Sequence, residues 1–325
     1  MKLLAGLDIG GTKCAVSLGR AADGRVELED KRMFPTPSTP EEALRKLGDS
    51  LEEMLAGRPR TGALAGIGIS CGGPLDSEKG IVMSPPNLPG WDGIDVVSPY
   101  RERYGVPVGL HNDANACALA EWQWGAGQGL RNVIFLTFGT GMGAGLILDG
   151  RLYAGTSDMA GEIGHVRMAE EGPVGYGKEG SFEGFCSGNG IARLAQLEAL
   201  KRLQSGEKPE LCPSMEQLAS LDARKVGEAA ERGDELALEI MRRVGEKLGA
   251  GLAVLVDLLN PQMIVIGSIY GRQRAILEPY ALAKLKEEAH PLALGQCRIV
   301  PARFGEQIGD YASLSVADYA SKKGR

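Results

Sequence analysis

Side chains suited to phosphate or proton chemistry cluster in three stretches of the sequence. The first is residues 7–13, Leu-Asp-Ile-Gly-Gly-Thr-Lys, which lies between two apolar runs and predicts a turn between buried strands. Adjacent glycines can turn backbone amides towards an anion, and Thr12 and Lys13 add a hydroxyl donor and a positive charge. The carboxylate of Asp8 would repel phosphate oxygens unless a cation lay between them, and Mg²⁺ is the simplest candidate for that cation. The alternative is an ordinary glycine turn in which Asp8 is structural.

The second stretch is Asn112-Asp113, which follows a predicted strand over residues 106–110 and precedes a predicted helix over residues 114–124. A carboxylate held between two rigid elements can act as a general base. Free aspartate has a pKa near 3.9, so we expect Asp113 to be anionic at neutral pH without unusual tuning. An aspartate at such a place is more often an N-cap, and the residues alone leave both interpretations open.

The third stretch, residues 137–145, repeats the pattern of the first, with Thr140 among glycines. Its spacing also fits the dinucleotide fingerprint, but that motif requires a helix next. The following residues, 146–153, instead predict a β-hairpin around Asp149-Gly150. Two similar turns in the two halves indicate a duplicated domain that holds one nucleotide from both sides.

The predicted elements around these stretches alternate between strands and helices. After the opening hairpin we predict a strand at 26–34, a helix starting at Thr39-Pro40 with Glu42 in a capping box, and a buried strand at 64–70. The second half is mostly helical. It includes a long helix over 235–259 and a buried strand over 263–266.

Composition excludes several classes of protein. The chain has 325 residues, enough for two domains, and its net charge of −6 gives no basic footprint for nucleic acid. Six cysteines without a Cys-x-x-Cys pair favour reduced thiols. No signal peptide or membrane-spanning stretch is evident, so we expect a cytoplasmic protein with no membrane partner.

The motifs at residues 8–13, 112–113 and 139–145, together with Ala-Gly-Glu-Ile-Gly-His at 160–165, resemble those of the ROK family of sugar kinases. The similarity runs from about residue 3 to residue 309. It implies an α/β, two-domain actin-like ATPase fold (ribonuclease H-like), that of the superfamily of actin, hexokinase and the Hsp70 chaperones. The implied small N-terminal domain spans 1–114, completed by a C-terminal helix at 306–325, and the implied large domain spans 115–305.

The resemblance also implies a function and the residues that perform it. The function is ATP-dependent phosphorylation of a hexose, with glucose as the default, at the 6-hydroxyl, with Asp113 as general base and Asp8 binding Mg²⁺ through water. The implied ATP and phosphate residues are Asp8, Gly10, Gly11, Thr12, Lys13, Gly139, Thr140, Gly141 and Gly267. The implied sugar residues are Gly73, Asn87, Asn112, Asp113, Glu162, His165 and Glu183.

One part of the family pattern is missing. ROK kinases usually hold a structural zinc with the histidine equivalent to His165 and three cysteines of a later stretch. Here that stretch reads VGYGKEGSFE over residues 174–183, with Val174, Tyr176 and Ser181 where the cysteines would be. These side chains do not supply a zinc ligand set, so we expect no structural zinc and expect tyrosine and apolar packing instead.

Three alternatives stay open. The substrate could be an N-acetylhexosamine (N-acetylmannosamine or N-acetylglucosamine), with fructose and allose also possible. A ROK-type sugar-responsive transcription regulator would carry a winged-helix domain before the first motif, for which the position of Asp8 leaves no space. The third alternative is a sugar-binding protein without catalysis. The usual family form implies a homodimer.

Overall fold

The computed structural model describes residues 1–56 and 64–323. The chain divides into two compact units. Unit 1 comprises Met1–Phe135, Gly145–Ala160 and Ala302–Arg325, and unit 2 comprises Leu136–Ala144 and Gly161–Pro301. The domain boundaries inferred in the sequence analysis stay a prediction.

Fifteen strands and eleven α-helices are found in the described residues. The strands are β1 (Lys2–Ile9), β2 (Lys13–Ala22), β3 (Arg25–Pro35), β4 (Leu64–Cys71), β5 (Leu75–Asp76), β6 (Ile81–Met83), β7 (Asp92–Asp95), β8 (Val108–His111), β9 (Val133–Phe138), β10 (Met142–Leu148), β11 (Arg151–Tyr153), β12 (Val174–Gly175), β13 (Lys178–Glu179), β14 (Met263–Ile266) and β15 (Arg298–Pro301). The helices are α1 (Pro40–Ala56), α2 (Ser98–Tyr104), α3 (Asp113–Gln123), α4 (Phe182–Phe185), α5 (Gly188–Gln204), α6 (Ala223–Glu231), α7 (Glu235–Leu259), α8 (Ile269–Arg272), α9 (Arg274–Glu288), α10 (Pro291–Leu294) and α11 (Ile308–Lys323).

Two five-stranded sheets share one topology. The first has the order β3-β2-β1-β4-β8, and the second has the order β11-β10-β9-β14-β15. Numbered along the chain within each sheet, both read 3-2-1-4-5. In the first sheet β2 pairs antiparallel with β1 and β3, whereas β4 pairs parallel with β1 and β8. This repetition supports the duplicated domain that the two glycine turns predicted.

Local sequence signals explain the elements that were predicted correctly. In α1 the Thr39 hydroxyl accepts a hydrogen bond from the Glu42 N–H at 3.3 Å, as the capping box predicted. Helix α7 has the predicted bounds because Asp234 caps its first turn and Asn260 ends it in the left-handed conformation. Asp149-Gly150, both at positive φ, form the predicted turn between β10 and β11.

The core of unit 1 lies on both faces of the first sheet. Strand β1 is buried along nearly its whole length, as expected of a central strand. Helix α11 approaches this sheet so closely that a Cβ at Gly68 would lie 2.1 Å from the Ser313 carbonyl oxygen. Only glycine permits that approach, and it fixes the last helix of the chain directly on β1 and β4.

Short elements were missed by the sequence analysis. Strands β5, β6 and β7 form a separate three-stranded sheet, and α2 follows it. Their two to seven residues are too few for a periodic pattern, and turn residues separate them.

Among the described residues, no helix has the length and apolar character needed to span a membrane. All six cysteines are free thiols, and five of them are buried.

Candidate active site

The first glycine turn joins β1 to β2 in unit 1. The Gly10 N–H donates to the Lys13 carbonyl at 3.1 Å, which closes the turn, and the Thr36 hydroxyl donates to the Gly10 carbonyl at 2.5 Å. Residues 11–13 are exposed. A Cβ at Gly11 would lie only 2.3 Å from the carbonyl oxygen of Asn87. The fold therefore seats the predicted sugar residue Asn87 directly against the predicted phosphate turn.

Asp8, just before this turn, is influenced by two other carboxylates of unit 1. Burial, followed by the charges of Asp113 and Asp310, raises the pKa of Asp8 to about 6, against the opposing charges of Lys13 and Lys31. Asp310 lies in the first turn of α11 and forms an ion pair with Lys31. Its influence on Asp8 was not predicted, because the two residues are far apart in the sequence.

These carboxylates fit Mg²⁺ by their chemistry. Burial is the first cause of the raised pKa of Asp8, and a divalent cation would offset the second cause, the charges of Asp113 and Asp310. Mg²⁺ prefers oxygen ligands such as these. Within the described residues, no group of three or more histidine, cysteine, aspartate or glutamate side chains is placed to hold a metal ion. The role of Asp8 in binding Mg²⁺ through water stays a prediction.

Asn112 and Asp113 take different roles at the junction of β8 and α3. The Asn112 side chain caps α3, accepting a hydrogen bond from the Asn115 N–H at 2.8 Å. This bond uses one of the two lone pairs of the side-chain oxygen, and the sugar contact of Asn112 stays a prediction. Asp113 is the first helical residue rather than the cap, so the N-cap interpretation of Asp113 is wrong.

Asp113 combines an open surface with a crowded environment. Its side chain is exposed, yet burial among surrounding protein atoms raises its pKa, while the Ala114 N–H at 3.1 Å lowers it. The exposed side chain is accessible to a ligand, whereas the many protein atoms around the carboxylate exclude water and raise its pKa. Our expectation of an untuned aspartate was therefore wrong, because the sequence does not show how much water the fold removes.

The second glycine turn is organised within unit 2. Its Gly139 N–H donates to the Gly141 carbonyl at 3.2 Å, and the Met142 N–H donates to Glu183 Oε2 at 3.0 Å. Glu183, predicted to bind sugar, thus has one carboxylate oxygen on the backbone of the predicted phosphate turn. The Gly267 N–H donates to the Leu136 carbonyl at 3.0 Å, which places Gly267 beside the same strand end.

A cavity of about 810 Å³ adjoins this turn in unit 2. It brings together the predicted residues Gly139 and Thr140 with side chains that the sequence analysis did not select. The added lining residues are Gly188, Asn189, Ala192, Asp222, Ala223, Arg224, Glu228, Glu231, Ser268, Ile269, Arg272 and Gln273. Two local signals precede parts of this wall: Ser187, which caps α5, and the predicted strand over 263–266, which leads to Ser268. The cavity volume suits a small-molecule ligand.

The segment around His165 lies where the resemblance to the family implies a zinc site. His165 ends a short 3₁₀ helix, Ile163–His165, and Glu162 is exposed just before it. A Cβ at Gly164 would lie 2.2 Å from the Met142 carbonyl oxygen, so this segment packs on the second glycine turn. Valine, tyrosine and serine at the cysteine positions are not zinc ligands, and the residues present do not fit that metal.

Tyr176 contacts His165, as predicted. The prediction that apolar side chains pack in place of the zinc site is wrong. The ring centroids of Tyr176 and His165 are 4.9 Å apart with an interplanar angle of 74°. Tyr176 is 64% exposed and Val174 is 41% exposed, so neither side chain is buried at the positions where the family's cysteines would be.

Gly73, on the loop after β4, has open space where a Cβ would be, and the structure shows no contact that defines its role.

The comparisons with known proteins decide the family. A profile of the ROK family matches residues 4–314. The chain belongs to the ROK family. A glucokinase from Thermotoga maritima is 31% identical over 314 residues, covering 96% of each chain. An N-acetylmannosamine kinase from Shigella flexneri is 34% identical over 274 residues, covering 83% of this chain and 84% of its own.

Solved ROK structures give the same result for the fold. A ROK family glucokinase from Streptomyces griseus, crystallised with glucose and AMPPNP, is 28% identical with a TM-score of 0.73, over 98% of this chain and 99% of its own. A ROK family transcriptional regulator, a homologue of the Escherichia coli MLC protein, is 26% identical with a TM-score of 0.84, over 99% of this chain and 79% of its own. The predicted two-domain actin-like fold and the predicted family are confirmed.

Proposed function

We propose that this protein transfers the terminal phosphate of ATP to the 6-hydroxyl of a hexose, with glucose as the first candidate and Asp113 as the general base. It is a sugar kinase of the ROK family. The observation that supports the role of Asp113 is its position: an exposed carboxylate at the start of α3, within electrostatic reach of Asp8 at the first glycine turn. A group so placed can accept a hydroxyl proton while the phosphate arrives.

The remaining roles follow from the chemistry of phosphoryl transfer, which requires positioning and charge stabilisation more than covalent catalysis. The two glycine turns, with Thr12 and Thr140, bind the phosphates. Asp8 would hold Mg²⁺ through water, and the bound ion would supply positive charge to offset that of the phosphates. The sugar residues are Gly73, Asn87, Asn112, Glu162, His165 and Glu183.

The raised pKa of Asp113 suits this role. A base whose pKa lies closer to the working pH accepts a proton more readily than an ordinary carboxylate, provided that it is still ionised. Burial supplies this adjustment, and the Ala114 N–H limits it.

Sugar turnover by Asp113→Asn tests the proposal. We expect this variant to lose sugar-dependent ADP release while calorimetry still detects sugar binding, because the amide cannot accept the proton but keeps the shape of the side chain. Asp149→Asn is a matched control, since Asp149 is an exposed turn residue at positive φ, a conformation that asparagine tolerates. A fully active Asp113→Asn enzyme would refute the assignment.

The identity of the sugar is measured by a coupled assay over glucose, N-acetylmannosamine, N-acetylglucosamine, fructose and allose. N-acetylhexosamines form the second candidate class of substrate, because the chain is similar to an N-acetylmannosamine kinase. The homodimer, the cytoplasmic location and the absence of a nucleic-acid partner stay predictions.

A sugar-responsive regulator is the rival function, because a regulator of this family has the same fold. Turnover separates the two functions directly. Efficient sugar-dependent ADP release without DNA retention in a mobility-shift assay supports the kinase. DNA binding without turnover supports the regulator.

A further inference from the structure

The segment at the position of the family's zinc loop is a β-hairpin, in which a two-residue turn joins β12 to β13. Tyr176 and Gly177 form its turn, with φ values of 42° and 76°. Both residues in the left-handed region are characteristic of the tight type I′ turn, which fixes the directions of the side chains on either side. The tip of the hairpin is therefore a defined structure built without a metal.

Two side chains of this hairpin contact His165. The Tyr176 ring meets the imidazole edge to face, with centroids 4.9 Å apart, which is a favourable aromatic geometry. The Lys178 ammonium donates a hydrogen bond to the His165 carbonyl oxygen at 2.8 Å. One contact restrains the ring of His165 and the other restrains its backbone.

The base of the hairpin is anchored to α4, the helix that carries Glu183. Ser181 is fully buried, and its hydroxyl accepts a hydrogen bond from the Gly184 N–H at 3.1 Å, which caps α4. A Cβ at Gly175 would lie 2.4 Å from the Gly184 nitrogen, so the hairpin and the helix touch at backbone level. The Phe182 N–H donates to the Val166 carbonyl at 2.8 Å, which links α4 to the segment that follows His165.

We propose that Tyr176 and Lys178 are positioning residues that hold His165 in register with Glu183 for sugar recognition, the task that a zinc-thiolate set would otherwise perform. This proposal rests on the proposed function, in which both His165 and Glu183 contact the sugar. Neither hairpin residue touches the reacting atoms. Their effect is transmitted through His165, because they limit the orientations that its ring and backbone can adopt.

Three variants test this proposal by steady-state kinetics. Tyr176→Ala should raise the sugar KM about three- to tenfold, a range taken from the strength of an aromatic pair, with little change in the ATP KM. Tyr176→Phe keeps the ring and should behave as the unsubstituted enzyme. Lys178→Met keeps the stem and removes the donor, and it should also raise the sugar KM. Tyr153→Ala is the matched control, since Tyr153 is a comparably exposed tyrosine on β11.

A spectroscopic readout tests the contact independently of activity. The chain has three histidines, so an NMR spectrum of the histidine ring carbons is simple to assign. Removing the Tyr176 ring should shift the His165 signal through the lost ring current, while Tyr153→Ala leaves it in place. Because Tyr176 is mostly exposed, its replacement spares the core.

The outcomes separate this proposal from the proposed function. An enzyme without sugar-dependent turnover refutes the proposed function. Normal turnover with an unchanged sugar KM in both Tyr176→Ala and Lys178→Met overturns the positioning role alone. A Tyr176→Phe variant as impaired as Tyr176→Ala also overturns it, since the ring would then not be the determinant. Stoichiometric zinc in the purified protein, with a chelator raising the sugar KM, would assign the role to a metal instead.

Discussion

Replacing Asp8 by asparagine should stabilise the folded protein at neutral pH while it abolishes turnover. Asp8 is partly buried beside the carboxylates of Asp113 and Asp310, and these surroundings raise its pKa from 3.8 to about 6. An ionised Asp8 therefore costs free energy in the folded state. Asparagine has nearly the same shape and carries no charge, so it removes that cost together with the Mg²⁺ interaction.

The magnitude follows from linkage between protonation and folding. A carboxyl whose pKa rises from 3.8 in the unfolded chain to about 6 in the folded protein loses about 3 kcal/mol of stability once ionised, an upper value for a partly exposed group. The sign is that of a raised pKa: the penalty is absent below pH 3.8 and complete above about pH 6. For units of this size we expect Asp8→Asn to raise the melting temperature by roughly 6–12 °C at most.

Thermal melts without nucleotide or Mg²⁺ measure this effect between about pH 4 and pH 8. We expect the melting temperatures of Asp8→Asn and the unsubstituted protein to converge at the acid end, to separate between about pH 4 and pH 6, and to keep a constant difference above pH 6. Asp23→Asn is the control, because Asp23 is an exposed turn residue at positive φ and the charge change is identical. If Asp8→Asn is no more stable than Asp23→Asn at pH 8, the inferred free-energy cost of an ionised Asp8, which comes first from burial and then from the neighbouring carboxylates, does not exist.

Two further predictions concern catalysis. We expect kcat/KM for the sugar, measured with Mg²⁺ and ATP, to fall on acidification at a higher pH than an ordinary aspartate of pKa near 3.9 would give, because burial raises the pKa of the Asp113 base; a fall only at or below about pH 4 contradicts this. Gly11→Ala places a methyl group 2.3 Å from the Asn87 carbonyl oxygen, so we expect kcat/KM to fall about 10- to 100-fold through displacement of that loop. Gly72→Ala, with no atom within 4 Å of the added methyl group, should be active, and equal activity of both variants counts against the Gly11 contact.

The sequence by itself determined the elements whose signals are local. A capping box starts α1, Asp234 and Asn260 define the ends of α7, and Asp149-Gly150 makes the turn of a hairpin, because neighbouring residues alone satisfy these geometries. The two glycine turns and the family resemblance also follow from the sequence alone. The three-stranded sheet β5-β6-β7 was not, because its strands are too short to show a period.

Only the tertiary structure decided how the individual side chains are used. Asn112, rather than Asp113, caps α3, and Glu183 accepts a backbone hydrogen bond from the second glycine turn. The pKa of Asp8 depends on Asp310 in the last helix. These properties arise from removal of water and from charges brought together across long stretches of chain, and both depend on the folded arrangement and not on the spacing of residues.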